Sequence, residues 1–278
     1  MRRRRRNSKR RPLLLAFILL ALFGSGGAFF WGRRSDRILA GEFARGKAQV
    51  ERGEFERAVA TFQSIYRHHP RFRLAPRALF QAGETLELNL KHPRKALLDF
   101  LLVVRDYPGS ALAIRARRQI ADIYKYRLMD YGKALLAYQK LLDSGAPDPD
   151  HIQYEIADTY FRRNNFEQAR IEFESLLKNY PASPLAAEAA YRIAVAYSLD
   201  GDAAAAEKAF RRVFRLWPKN SFAAEARFGL ATVLESQGEL KKALSELEGL
   251  RTTYRDQQIL TRRIARVKKR IRKKKLTY

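Results

Sequence analysis

The chain has no cysteine anywhere in its 278 residues. That absence excludes structural disulfides, cysteine-based zinc sites, thiol catalysis and a lipidated cysteine of the bacterial lipoprotein kind. Histidine is nearly as scarce, with four copies at His68, His69, His92 and His151. His68 and His69 are neighbours just before Pro70, and adjacent side chains on a helix diverge, so no metal site is expected there. A glycine-rich phosphate loop, an HExxH pair, an EF-hand loop and a nucleophile elbow are also missing. No catalytic activity, no cofactor and no small-molecule substrate are therefore expected.

Acidic residues are the third shortage: 29 Asp and Glu face 55 Lys and Arg, a formal net charge of +26. The excess sits at the two ends, with eight basic side chains in residues 2–11 and ten in residues 262–275, and no acid in either run. The body between them is close to balanced. Its share of the 46% hydrophobic and 12% aromatic residues is enough to build a core, which argues against a disordered basic protein.

Residues 13–32, LLLAFILLALFGSGGAFFWG, carry no charge, and as a helix they match the thickness of a bilayer core. A helix apolar on every face has no side to give to water. Two membrane readings compete. Residues 13–23 have the length of a signal-peptide core, with Gly26 and Ala28 at a plausible cleavage spacing. Phe29, Phe30 and Trp31 instead continue the apolar stretch up to Arg33 and Arg34, like an interfacial belt with a basic flank, which favours a retained anchor. The expectation is a basic cytoplasmic arm over 1–12 and a transmembrane signal anchor over 13–32. Eight basic residues before the span against three after it place the N-terminus in the cytoplasm and the body in the periplasm.

From residue 36 onward the sequence repeats. GEFERAVATFQSIYRHHP (53–70), HPRKALLDFLLVVRDYP (92–108), NNFEQARIEFESLLKNYP (164–181) and GDAAAAEKAFRRVFRLWP (201–218) each show alanine, an aromatic four residues later, and proline eight after that. Ala134 with Tyr138 and Ala243 with Leu247 are degenerate copies. A second small residue lies upstream at Gly46, Ala82, Ala121, Ala157, Ala194 and Ala231. Small residues let two antiparallel helices approach closely, and the aromatic fills the gap beside them. Proline stops the second helix, while Gly53, Gly201 and Gly238 suit the turn between helices, where positive φ is needed.

These residues resemble tetratricopeptide repeats. The family pattern is met by Ala157, Tyr160, Ala169, Phe173 and Pro181, and again by Ala194, Tyr197, Ala206, Phe210 and Pro218. Long inter-repeat segments make the chain similar to the subset found in bacterial envelope proteins, among them the Tol-Pal-associated cell-division coordinator and the outer-membrane assembly lipoprotein. The expected fold is all-α: a TPR-type α-solenoid of six helix-hairpin repeats over 36–255, a basic capping helix and tail over 256–278, and one transmembrane helix ahead of them. Two extra residues around Lys91 to Pro93 are expected to disturb regular packing across 80–150.

The resemblance implies a protein or peptide partner bound on the concave side made by the first helices. Carried over position by position, the groove consists of Arg118, Asp122, Lys125, Tyr154, Asp158, Arg162, Tyr191 and Ser198. The C-terminal segment places Leu260, Ile264, Val267 and Ile271 in one apolar stripe, as a cap requires. Its remaining cations, Arg266, Lys268, Lys269, Arg270, Arg272 and Lys273, are expected to meet an anionic partner such as lipid headgroups or an acidic surface, with nucleic acid disfavoured. The leading expectation is thus a non-catalytic, membrane-anchored scaffold of the bacterial envelope. The alternative is a tethered adaptor with cytoplasmic repeats, whose cationic C-terminal helix binds nucleic acid or anionic lipid.

Overall fold

A computed structural model describes residues 35–276. The arm at 1–12 and the apolar stretch at 13–32 lie outside the described residues. Among the described residues no helix is long and apolar enough to cross a membrane. They form thirteen α-helices and no strand. In order these are α1 (35–51), α2 (Phe55–His68), α3 (Ala75–Glu84), α4 (Pro93–Asp106), α5 (Ala111–Asp122), α6 (Tyr131–Asp143), α7 (Pro149–Arg162), α8 (Phe166–Asn179), α9 (Ala186–Leu199), α10 (Ala203–Leu216), α11 (Ser221–Ser236), α12 (Leu240–Glu248) and α13 (Gln257–Leu276). The chain divides into two compact units after Gln119, inside α5.

Each second helix starts from the same local device. A residue with positive φ precedes it at Gly53, Lys91, Met129, Asn164, Gly201 and Gly238, always five residues before the repeat's alanine. Half of these positions are not glycine, so three repeats carry a left-handed residue that the glycine pattern does not reveal. The next residue is the N-cap. Asp130, Asn165 and Asp202 each accept a hydrogen bond from the backbone N–H three residues on, which satisfies an orphan donor of the first turn. At the other end the residue before proline leaves the helical region, with φ between −136° and −126° at His69, Tyr107, Tyr180 and Trp217.

The repeat's small and aromatic positions form the core. Ala58, Ala96, Ala134, Ala169, Ala206 and Ala243 have no exposed surface, and the partners four residues on, Phe62, Phe100, Tyr138, Phe173, Phe210 and Leu247, are equally enclosed. In the first unit Phe43 packs on Phe62 with ring centroids 5.5 Å apart, and Phe80 on Phe100 at 5.2 Å. In the second, Tyr154 meets Phe173 at 5.4 Å and Tyr191 meets Phe210 at 6.1 Å.

The irregularity at 80–150 takes a different form from the one expected. The extra residues are not a looped insertion around Lys91 to Pro93. Thr85–Asn89 extends α3, and Ile123–Arg127 extends α5, as single π-helical turns. Such a turn widens the helix by one residue. The amide that closes the inter-helix turn shows the count: it reaches back five residues at Glu54, Asn165, Asp202 and Glu239, but six at His92 and Asp130. Gly83, rather than Ala82, is the small residue facing the aromatic, since a Cβ there would come within 2.9 Å of Phe100. With Gly83 as reference, each of these two repeats carries one inserted residue.

α13 closes the second unit as a cap. Leu260, Ile264 and Val267 are buried, and Ile271 packs against the same cluster as Leu230, Leu234, Leu247 and Leu250.

Candidate functional site

The first-helix residues of the second unit do not stand apart in solvent. Lys125 sits in the π turn after α5 with no exposed side-chain surface, and its Nζ lies 2.6 Å from Glu155 Oε2 and 2.8 Å from Asp158 Oδ2. It also donates to the Glu155 carbonyl at 3.1 Å, which completes its three hydrogen bonds. Asp158 accepts from Arg162 Nε at 2.7 Å. Burial pushes the Asp158 carboxyl up, but Lys125 and Arg162 outweigh it and hold the group below the usual carboxylate range.

Tyrosines frame this ion pair. Tyr126 Oη donates to Glu155 Oε2 at 2.6 Å, and Tyr138 Oη donates to Asp122 Oδ1 at the same distance. The Arg162 guanidinium lies over the Tyr126 ring, 5.3 Å from its centroid. Burial, reinforced by the neighbouring carboxylates, pushes both phenols well above their ordinary range, so they remain hydrogen-bond donors. Further along, Tyr154 Oη donates to Glu188 Oε1 at 2.5 Å, and Arg192 lies between Glu188 and Asp158 at 3.7 and 3.9 Å.

The structure thus brings together Asp122, Lys125, Tyr154, Asp158 and Arg162 of the expected groove. Tyr191 is placed separately, half-buried against Phe210 and Phe222. Ser198 is exposed near the end of α9. Arg118 belongs to the first unit and is half-buried. Tyr126, Glu155, Glu188 and Arg192 complete the network and were not singled out from the sequence. The one-residue π insertion bears on Tyr126 alone, since the turn at Ile123–Arg127 leaves Lys125 buried and Tyr126 exposed; Glu155, Glu188 and Arg192 lie on α7 and α9, where no insertion marks them. Tyr126 and Arg162 are the exposed members of this network, above a layer in which Lys125, Glu155, Asp158, Glu188 and Arg192 are paired.

The C-terminal cations are placed differently from a free tail. Glu235 of α11, almost fully buried, receives Arg263 at 2.6 Å, Arg270 at 3.1 Å and Arg266 at 3.5 Å. Lys268 pairs with Glu248 at 2.8 Å. Arg266, Lys268 and Arg270 therefore tether α13 to the body, while Lys269, Arg272 and Lys273 have exposed side chains. Among the described residues no group of three metal-capable side chains is found.

The chain matches the tetratricopeptide repeat family over residues 43–111, 123–184, 154–221 and 200–256, and it belongs to that family. No curated protein matches it in sequence. Among solved structures it is similar in fold to a tetratricopeptide repeat protein from Parabacteroides merdae, with 19% identity over 78% of this chain and 80% of that one and a TM-score of 0.56. The C-terminal part of a TPR repeat-containing protein from Cytophaga hutchinsonii gives 15% identity, 76% and 78% coverage and a TM-score of 0.57. YrrB, described as a TPR protein with an unusual peptide-binding site, gives 15% identity, 74% and 97% coverage and a TM-score of 0.51.

Proposed function

We propose that this protein is a non-catalytic, membrane-anchored scaffold of the bacterial envelope whose repeats bind a protein or peptide partner. The observation that carries this reading is the first-helix surface of the second unit. Its exposed Tyr126 and Arg162 rest on a buried ion network that fixes their neighbours before any partner arrives, and such preorganisation lowers the ordering cost of binding. The pairing of Arg263, Arg266 and Arg270 with Glu235 and of Lys268 with Glu248 favours this surface over a free cationic tail as the place of recognition. The peptide-binding site named for YrrB lends support by analogy of fold. The anchor is residues 13–32, with the arm at 1–12 in the cytoplasm and the repeats in the periplasm.

Two measurements test this. Affinity capture from membranes with the intact chain and with Arg162→Ala should yield a partner protein that the variant loses; an unchanged set of captured proteins contradicts the assignment. A topology reporter fused after Tyr278 should be active in the periplasm, and cytoplasmic activity contradicts the placement.

A further inference from the structure

We propose that the first unit docks on the membrane that holds the chain, through the arginines of the α2–α3 loop, which bind the phosphates of anionic lipid headgroups. The inference rests on the anchoring of residues 13–32.

Helix register brings this loop to the membrane-proximal end. α1 and α2 run antiparallel, with Thr61 Oγ1 donating to Gln49 Oε1 at 2.9 Å and the Gly46 backbone against the Phe62 ring. Residue 35 lies fourteen residues back from Gln49, whereas α2 ends at His68, seven residues beyond Thr61. The first described turn of α1 therefore projects past the end of α2, by about 10 Å, on the side where the α2–α3 loop lies. Only Arg33 and Arg34 separate that turn from the apolar stretch.

Charge is unbalanced at this end. Between Glu56 and Glu84 the chain has no acidic residue. Among the described residues Arg71 and Arg73 are exposed and lie in no ion pair, while the exposed Arg67 spends part of its charge on the buried Asp99 carboxyl. Of the nearby acids, Asp106 is taken up by Arg105 at 2.6 Å and by the Tyr66 hydroxyl at 2.5 Å, and Asp36 is offset by Arg37. The opposite end of the same helix pair is different: residues 51–57 carry three acids and two arginines, and both arginines pair with Glu54.

The loop is also held in place. Tyr107 Oη donates to the Pro70 carbonyl at 2.8 Å, and Phe72 is buried between Arg71 and Arg73, so the two guanidinium groups stand out on a fixed support. Tyr66 and Tyr107 border the shallow cleft beside them, and Ile38 is exposed on the first described turn. Arginines beside tyrosines suit a headgroup layer, as does an exposed aliphatic side chain on the helix that leads to the anchor.

The absence of native cysteine allows single-site labels. Full-length Gly109→Cys, in the α4–α5 loop of this end where the added side chain meets open space, and Glu51→Cys at the opposite end would each carry a fluorophore. Both would be reconstituted in phosphatidylcholine vesicles, with and without phosphatidylglycerol, that bear a headgroup quencher. The expected result is quenching at the Gly109 site on phosphatidylglycerol vesicles, little at the Glu51 site, and reversal by salt. Arg71→Gln with Arg73→Gln should lower the docked-to-undocked ratio by roughly twenty- to thirty-fold, from about fivefold per arginine. Release of the chain at alkaline pH overturns the anchor and this inference with it. Retention with equal quenching at both sites, or quenching indifferent to the two substitutions, overturns this inference alone. An oligonucleotide bound through Arg71 and Arg73 without quenching on phosphatidylglycerol vesicles overturns it in favour of nucleic acid.

Discussion

Lys125 Nζ lies 2.6 Å from Glu155 Oε2, and the lysine has no side-chain surface in contact with water. The two residues belong to successive repeats, so the pair joins them. An ammonium in such a position is tolerated because Glu155 and Asp158 supply acceptors for all three of its protons. Replacing Lys125 by Met leaves two carboxylates without their buried partner and should cost ~3–5 kcal/mol, read as a lower denaturation midpoint. Lys133→Met, which breaks an exposed pair with Asp130, should leave the midpoint unchanged.

Asp99 gives the first unit a pH dependence. Its carboxyl is buried in α4, where burial outweighs the hydrogen bonds from Gln63 and the charge of Arg67 and pushes the pKa up to about 6. The folded state therefore keeps a proton that the unfolded chain releases in the ordinary carboxylate range. Stability is lost as pH rises from that range to about 6, and is constant above it. The expected difference is about 2 kcal/mol between about pH 4 and pH 7. Asp99→Asn keeps an acceptor for Gln63, and should remove this slope and stabilise the unit at neutral pH. Urea titrations of both chains across that window measure it.

The turns predict opposite signs for two glycine exchanges. Met129 has φ +53° and a side chain 68% exposed, so it is strained and loses little packing on removal. Met129→Gly should stabilise by about 1 kcal/mol. Gly46→Ala should destabilise by about 1–3 kcal/mol, since its Cβ would lie 2.6 Å from the enclosed Phe62 ring. Equilibrium denaturation of each variant gives the sign directly.

Glu235 holds α13 through three arginines while Val267 and Leu260 hold it through the core. Glu235→Gln should weaken charge-assisted hydrogen bonds worth about 1.5–3 kcal/mol and speed amide exchange in α13 by roughly tenfold or more. Amides of α7 and α8 should exchange as before, and hydrogen-exchange mass spectrometry separates the two.

The legible part of the sequence was whatever recurs. Alanine, aromatic and proline return in register because every hairpin meets the same close approach and the same stop, and Ala169, Phe173 and Pro181 state that rule in one repeat. The turn was read only where it used glycine: Asn164 is of a type that tolerates the same left-handed position and could have marked it, whereas Lys91 and Met129 hold it through context alone. A one-residue insertion is also ambiguous on paper, because a longer loop and a π turn have the same length. That ambiguity concealed the inward turn of Lys125 and the choice of Gly83 over Ala82. The clasp of Arg263, Arg266 and Arg270 on Glu235 was hidden for another reason: the partners lie about thirty residues apart, and a cationic run looks the same whether solvated or paired.

The central claim, that the first-helix surface of the second unit receives a protein or peptide, is tested most directly by a photo-crosslinking map in intact cells. The crosslinker would be placed singly at His151 of α7 and Ser198 of α9, and at Leu136 of α6 and Lys208 of α10 on the second helices. The account predicts one protein adduct shared by His151 and Ser198, lost on Arg162→Ala and absent from Leu136 and Lys208. An adduct formed from Leu136 and Lys208 but not from His151 or Ser198 would contradict it.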